Sequence, residues 1–475
     1  MIDARFLDYY NRELAYLREM GGEFGAAFPK VAGRLGMRGD TVADPYVERL
    51  LEGFAFLASR IHVKIDAEFP RFSQRLLEVV YPHYLAPTPA MAVVRLEGEA
   101  AANGGNSAAE SGASSLPRGT RMQSPPVPGG RTQCTFVTSQ DADYWPIEIV
   151  DAKADLPGDR LPLAGLPQRG RVKGVIRLSL RFTRPEARQL RLPDRLGVFI
   201  AADEPDAGAI YEAVLGHGVG VAIGEPGNER SQLLAAPGTL RAEGFNADQA
   251  LLPADPRVFQ GYRLLHEYFA FPQRYLFFSI GGVGDALRRL RGDTFEITLL
   301  LDCDPAGLSQ RVGAGSFLLN CVPVINLFAT TGNRQLVTPG ALEHHVVPDR
   351  TRPLDFEVYQ VLGVRGFDRS NNAVRSFAPF YRHVGHADGR GDAYFSARRE
   401  PRRLSESGAR DGGRSGYLGS EVFVSLVDTR EAPWPERIEQ IAVEMLVTNR
   451  DLPLLLPTGV TLDVETGGPV RKARV

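Results

Sequence analysis

The pattern of apolar and polar positions divides the chain into two regimes. From Asp3 onward, Phe6, Tyr10, Leu14, Leu17, Phe24 and Phe28 recur mostly at three- and four-residue steps, which places them on one face of a 3.6-residue helix. Pro29 is expected to close that helix, because its ring and missing N–H do not fit a helix interior. A second helix is announced by Asp44 as N-cap and Pro45 at the first helical position, where the missing N–H costs nothing. Its stripe is Val47, Leu50, Leu51, Phe54, Leu57, Ile61 and Ile65. A third apolar run, Phe72, Leu76, Leu77, Val79 and Val80, ends at Pro82, Pro87 and Pro89, which forbid further helix.

Beyond about residue 90 the period changes to two, the signature of half-buried strands. Met91 to Leu96 and Gly174 to Phe182 are the clearest runs, followed by Gly197 to Ala201, Tyr275 to Ile280, Thr294 to Leu301, Glu357 to Val364, Glu421 to Val427 and Ile441 to Val447. The 50 Gly and 34 Pro gather between such runs, as turns require. The expected fold class is α+β and β-rich: an N-terminal helical segment over 1–88, a β-rich region over 89–335 divisible into two subdomains, and a β-rich C-terminal region over 336–475. Residues 98–115 and 401–416 have almost nothing apolar to anchor them and are expected to be mobile loops.

Charge changes the picture only by exclusion. Lys and Arg total 55 against 57 Asp and Glu, so no net field favours nucleic acid or an anionic membrane. Only Lys30, Lys64, Lys153, Lys173 and Lys472 are lysines. The arginine excess reads as composition bias, although arginine also suits interface ion pairs. No stretch approaches the roughly 18 apolar residues of a membrane span, and Met1 to Arg18 lacks the pattern of a secretory signal. Cys134, Cys303 and Cys321 are odd in number and show no CxxC spacing, so a reducing, cytoplasmic setting is expected.

The search for chemistry yields fragments. None of the lysines is followed by Ser or Thr, as a Walker A lysine must be, and no serine sits in a GxSxG elbow. His266-Glu267 begins like a zinc-protease helix, but Ala270 stands where the second His belongs. His383 and His386, followed by Asp388, read as loop residues, and His344 and His345 point to opposite faces of a strand. Asp302 and Asp304 share a face after an apolar strand, but Pro305 favours a strand-ending turn. No catalytic residue, metal site or cofactor site is assigned. Two alternatives remain: a hydrolase assembled from distant groups such as Asp302, Asp304, His383 and His386, and a β-rich ligand-binding module.

The densest unusual segment is Gly261-Tyr-Arg-Leu-Leu-His-Glu-Tyr-Phe-Ala-Phe-Pro-Gln-Arg-Tyr-Leu-Phe-Phe278, aromatic enough to be core, interface or both. Together with Ser316 to Phe328, His345 to Tyr359, Phe6 to Leu17, Val80 to Leu85 and Leu116 to Thr120, it closely resembles the TssF (VasA, ImpG) family of type VI secretion baseplate subunits. That resemblance implies a structural wedge component like those of phage baseplates, without catalytic residues. It further implies assembly with a second copy of itself and a TssG-like subunit, near TssK-, TssE- and VgrG-like proteins, at a cytoplasmic baseplate docked on the inner membrane. It implies no membrane insertion. Family members continue past Val475, so the chain is expected to be truncated there. The residues expected to carry protein contacts are Phe6, Tyr10, Leu14 and Leu17 in the first helix, and Tyr262, Tyr268, Phe269, Phe271 and Tyr275 in the aromatic segment.

Overall fold

The computed structural model describes residues 4–39, 41–98, 114–158, 161, 169–184, 192–226, 232–234, 238–253, 258–338, 340–380, 393–402, 414–428, 438–466, 468 and 470–475. Two compact units form, Met1–Leu85 and Ala86–Val475.

The first unit is a helical hairpin. Helix α1 (Ala4–Ala27) is followed by a short α2 (Pro29–Arg34) and then by α3 (Pro45–Val80). Pro29 does more than close α1, because it also opens α2 at the position where proline is tolerated. Asp44 caps α3 as expected, its Oδ1 accepting from the Tyr46 N–H at 2.9 Å. The second and third sequence runs are one 36-residue helix, about 54 Å long at 1.5 Å per residue. The helical spacing from Ile65 to Phe72 carries it across the gap.

The second unit is β-built. A closed antiparallel barrel runs in the order Cys321–Ile325, Met91–Gly98, Val470–Arg474, Thr461–Val464, Arg121–Pro126, Gln133–Thr138, and back to the first strand. Val94, Leu96, Met122, Phe136, Val324, Leu462 and Ala473 fill it. The last two strands lie in the region expected over 336–475 and complete a barrel begun near residue 91, across the boundary expected at 335/336. A closed barrel removes unpaired sheet edges, which is a reason for the chain to bring its distant segments together.

Inserted between barrel strands, a five-stranded sheet (Gln232–Leu234, Gly218–Gly224, Thr294–Leu301, Gly174–Phe182, Ile147–Asp155) shares one core with a four-stranded sheet (Leu240–Ala242, Phe277–Gly281, Arg195–Ile200, Phe317–Leu318). Leu178, Leu180, Val198, Ile200, Phe278 and Ile297 meet there, with Ile210 of helix α4 (Glu204–Tyr211). The aromatic segment supplies helix α5 (Gln260–Ala270), a 3-10 turn opened by Pro272 and the strand from Phe277. That strand starts two residues later than expected, because the turn takes Tyr275. A short α6 (Val283–Leu287) follows.

The third sheet holds Phe328–Thr331, Gln440–Thr448, Glu357–Phe367, Ala373–Pro379, Ala393–Pro401, Ser420–Asp428 and His344–Val346. Of the two segments expected to be mobile, 99–113 and 403–413 lie outside the described residues. Their flanks are pinned. Ser114–Leu116 pairs with Ala142–Tyr144, and Arg414 donates to Asp355 at 2.7 Å and to Asp451 at 2.6 Å.

A polar joint fastens this sheet to the barrel. Asn449, fully buried, accepts from the Thr135 N–H at 2.9 Å and from Asn326 Nδ2 at 2.8 Å, and its own N–H donates to Asn326 Oδ1 at 2.6 Å. Asn449→Ala leaves two buried donors unpaired at about 1–3 kcal/mol each, so the urea midpoint is expected to report a loss of about 2–4 kcal/mol. A change under about 1 kcal/mol would mean that the joint relaxes without it. Beside it, burial raises the Asp451 pKa, but hydrogen bonds from Arg414 and Ser415 outweigh burial and hold it below the ordinary carboxylate value. A depressed carboxylate stabilises the fold above the ordinary value and loses that contribution as the pH falls through its folded value. The acid limb of the urea midpoint is therefore expected to be shallower in Arg414→Met than in the parent, and identical limbs would contradict this.

Candidate docking surfaces

Surface helices ordinarily turn their apolar stripe to the core, but α5 does the reverse. Arg263 and Glu267, one helical turn apart, point inward, and Glu267 has no exposed surface. Arg263 Nη1 donates to Glu267 Oε1 at 2.8 Å, and the Leu252 N–H donates to the same oxygen at 3.0 Å. Arg263 Nε donates to Gln260 Oε1 at 3.0 Å. Arg274, fully buried after the helix, donates through Nη2 to Gln140 Oε1 at 2.8 Å and to the Gln249 carbonyl at 2.7 Å. Burial pushes the pKa of its guanidinium down to about 10, against the opposing charge of Glu267. Gly244, at φ +104°, lies against that guanidinium, and a Cβ there would come within 3.3 Å of its central carbon. Only glycine meets both demands cheaply.

With the polar face inside, the apolar face is outside. Tyr262, Leu265, Tyr268, Phe269 and the preceding Phe259 are each more than half exposed, Phe269 at 81%. Phe259 meets Tyr262 edge-on at 5.6 Å, and Tyr268 meets Phe269 edge-on at 5.5 Å. At about 1.5–3 kcal/mol per fully buried large side chain, these five leave on the order of 5–10 kcal/mol of burial unrealised.

The hairpin of the first unit repeats this inversion. Its seam joins small and polar groups to an aromatic contact, Phe6 on Phe56: Ala55 and Ser59 are buried, Glu13 pairs with His62 at 3.2 Å, the Tyr9 ring stacks on His62 at 5.3 Å, Tyr9 donates to Asp66, and Arg18 pairs with Glu48. Of the apolar stripe of α3, Leu50, Phe54, Leu57, Ile61, Ile65, Phe72 and Leu76 are exposed, while Val47 and Leu51 are half-buried. Leu50, Ile61 and Phe72, like Phe54, Ile65 and Leu76, lie eleven residues apart. That repeat is close to the helix's own period, so the stripe runs nearly straight along the axis.

The residues singled out from sequence fall into three groups. Phe6, Tyr10, Leu14 and Leu17 are half-buried, with Phe6 packed edge-on to Phe56 at 5.3 Å. Tyr262, Tyr268 and Phe269 are exposed on α5. Phe271 is half-buried against Leu251, Leu252, Ile325, Leu327 and Tyr359. Tyr275 is buried, its hydroxyl donating to the Leu264 carbonyl at 3.2 Å, and burial with the nearby Glu267 pushes its phenol up to about 12. The α3 stripe was visible in sequence as a helix face, but its outward direction was not. The available clue in α5 was Arg263 and Glu267 at i, i+4.

The chemical alternatives find little support among the described residues. Asp302 accepts from Arg171 at 2.5 Å and bonds His217 Nδ1 at 2.8 Å, while Asp304 caps a 3-10 turn by accepting from the Ala306 N–H at 2.9 Å. The two carboxylates serve separate structural partners. His383, His386 and Asp388 lie outside the described residues. His344 is buried in its strand, and His345 stacks on Phe423 at 4.9 Å. No group of three or more metal-ligating side chains converges among the described residues, and no described helix is long and apolar enough to cross a membrane.

A β-built body whose helices hide polar seams and display apolar stripes defines a structural component of an assembly. The chain belongs to the TssF family of the type VI secretion system, whose sequence pattern matches residues 2–475. It is 41% identical over 479 residues to the type VI secretion system component TssF1 of Pseudomonas aeruginosa PAO1, covering all of this chain and 76% of that protein. Its fold matches a chain in the cryo-electron microscopy structure of the type VI TssK–TssF–TssG baseplate subcomplex, with a TM-score of 0.65, 24% identity, and coverage of 89% of this chain and 72% of the other. A chain of the type VI baseplate complex aligns at a TM-score of 0.48 and 24% identity, over 99% of this chain and 76% of that one.

The inside-out arrangement of α5 separates two kinds of substitution. Phe269→Ser is expected to leave stability within about 0.5 kcal/mol of the parent while lowering the binding of an apolar dye. Glu267→Ala orphans Arg263 and the Leu252 N–H and is expected to cost about 3–5 kcal/mol. Denaturant unfolding of both variants checks this, and equal costs would refute the assignment of faces.

Proposed function

We propose that this chain is a non-catalytic structural subunit of the type VI secretion baseplate, which joins a second copy of itself and a TssG-like subunit through its outward apolar helix faces. One observation carries the reading: in a member of the TssF family, the α3 stripe lies exposed over a polar seam. A stable monomer seldom leaves so long an apolar strip uncovered, whereas a subunit buries it on assembly. The related chain in the TssK–TssF–TssG subcomplex supports TssG- and TssK-like neighbours. TssE- and VgrG-like neighbours and a cytoplasmic place at a membrane-docked baseplate complete the proposal. The near-neutral charge balance supports protein partners over nucleic acid.

Co-expression with TssG and TssK homologues tests it. Phe54→Asp with Ile61→Asp is expected to keep the parent's circular dichroism but to lose most co-purified TssG, because a carboxylate desolvated at an apolar contact costs several kcal/mol. Tyr10→Asp with Leu17→Asp, at half-buried positions, is expected to lower the helical signal itself. An α3 variant that folds and assembles like the parent would remove α3 from the docking surface.

A further inference from the structure

We infer that the buried Arg263–Glu267 pair sets the roll of α5, with Glu267 the positioning residue that decides which face of the helix is shown to solvent. That the displayed face is a docking surface rests on the proposed function; the roll itself does not.

The helix has two faces, and burial alone would choose the other one. Phe259, Tyr262, Leu265, Tyr268 and Phe269 are the side chains that water rejects, yet they are outside, while Arg263 and Glu267 are inside. What opposes burial is a set of hydrogen bonds with one geometric solution. Glu267 Oε1 takes both the Leu252 N–H and Arg263 Nη1, and Gln260, a turn earlier on the same side, takes Arg263 Nε. A half-turn roll would leave the Leu252 N–H buried without an acceptor, and it would take from the buried Arg274 the opposing charge that acts on it most. Glu267 thus answers a backbone donor and a guanidinium on its own helix, and it offsets a second guanidinium beyond the helix end. Buried pairs of this kind add little stability compared with apolar side chains of similar size, but they can select one arrangement among several. In α5 the arrangement selected is the one that a simple amphipathic helix would refuse.

The test places an indole on the displayed face with Phe269→Trp and reads acrylamide quenching and emission wavelength as the difference from the same protein carrying Phe269. In the otherwise unchanged chain the indole is expected to be quenched as an exposed side chain. In the Arg263→Met/Glu267→Met background nothing holds the polar roll. The protein is expected to remain folded by circular dichroism, quenching to fall toward that of a buried indole such as Trp145, and emission to shift to the blue. Glu267→Gln keeps an acceptor at the same place and is expected to restore the exposed signature. A double variant whose indole stays exposed overturns the inference. One that fails to fold overturns it too, because the pair would then be required for folding rather than for choosing a face. Loss of TssG binding by the α3 variant leaves these readings untouched, so the two proposals fail separately.

Discussion

A carboxylate without water is costly unless it is paired, and Glu267, answered through Oε1 by the Leu252 N–H and Arg263, is the residue on which the aromatic segment depends. Its position requires Arg263 on the same helix face, the Leu252 N–H at hydrogen-bond distance and a buried Arg274 beyond the helix end. Arg274 in turn requires Gln140, the Gln249 carbonyl and the bare backbone of Gly244. Once these are in place, the aromatic face of α5 has nowhere to go but outward. The exposed surface is a consequence of the buried charge.

The body around this centre joins through polar locks as well as apolar cores. The barrel is closed by the strands Thr461–Val464 and Val470–Arg474, which pair with strands formed more than 300 residues earlier. Asn326 and Asn449 couple the barrel to the third sheet, and Arg414 ties the turn after Gln440–Thr448 to the loop at Asp355. Buried hydrogen bonds between distant segments help specify one arrangement of neighbouring parts. A subunit that presents several surfaces at fixed angles benefits from such specification.

The helical hairpin of the first unit follows the same logic with looser means. Arg18–Glu48, Glu13–His62 and Tyr9–Asp66 hold α1 to α3 through partly exposed polar contacts, and exposed ion pairs are individually weak. The apolar burial that would ordinarily stabilise a long helix is left unmade along the exposed stripe of α3.

Much of the secondary structure was legible in the chain, because periodicity is a local property. Gly174–Phe182 and Thr294–Leu301 fall where the alternation of apolar residues put them, and Asp44-Pro45 starts α3 by capping chemistry alone. The resemblance of the aromatic segment and its companions to TssF was also readable, since it rests on residue identity. Direction was not readable. A stripe such as Leu50, Phe54, Leu57 and Ile61 shows that a helix has an apolar side, but nothing in its spacing says whether that side meets a core or solvent. Only the tertiary structure decided this, as in α5, where it brought the Leu252 N–H to Glu267, and only it returned the strand Val470–Arg474 to Met91–Gly98. The physical reason is that hydrogen bonds, buried charges and strand pairs between distant segments depend on where the chain returns, which no local pattern contains.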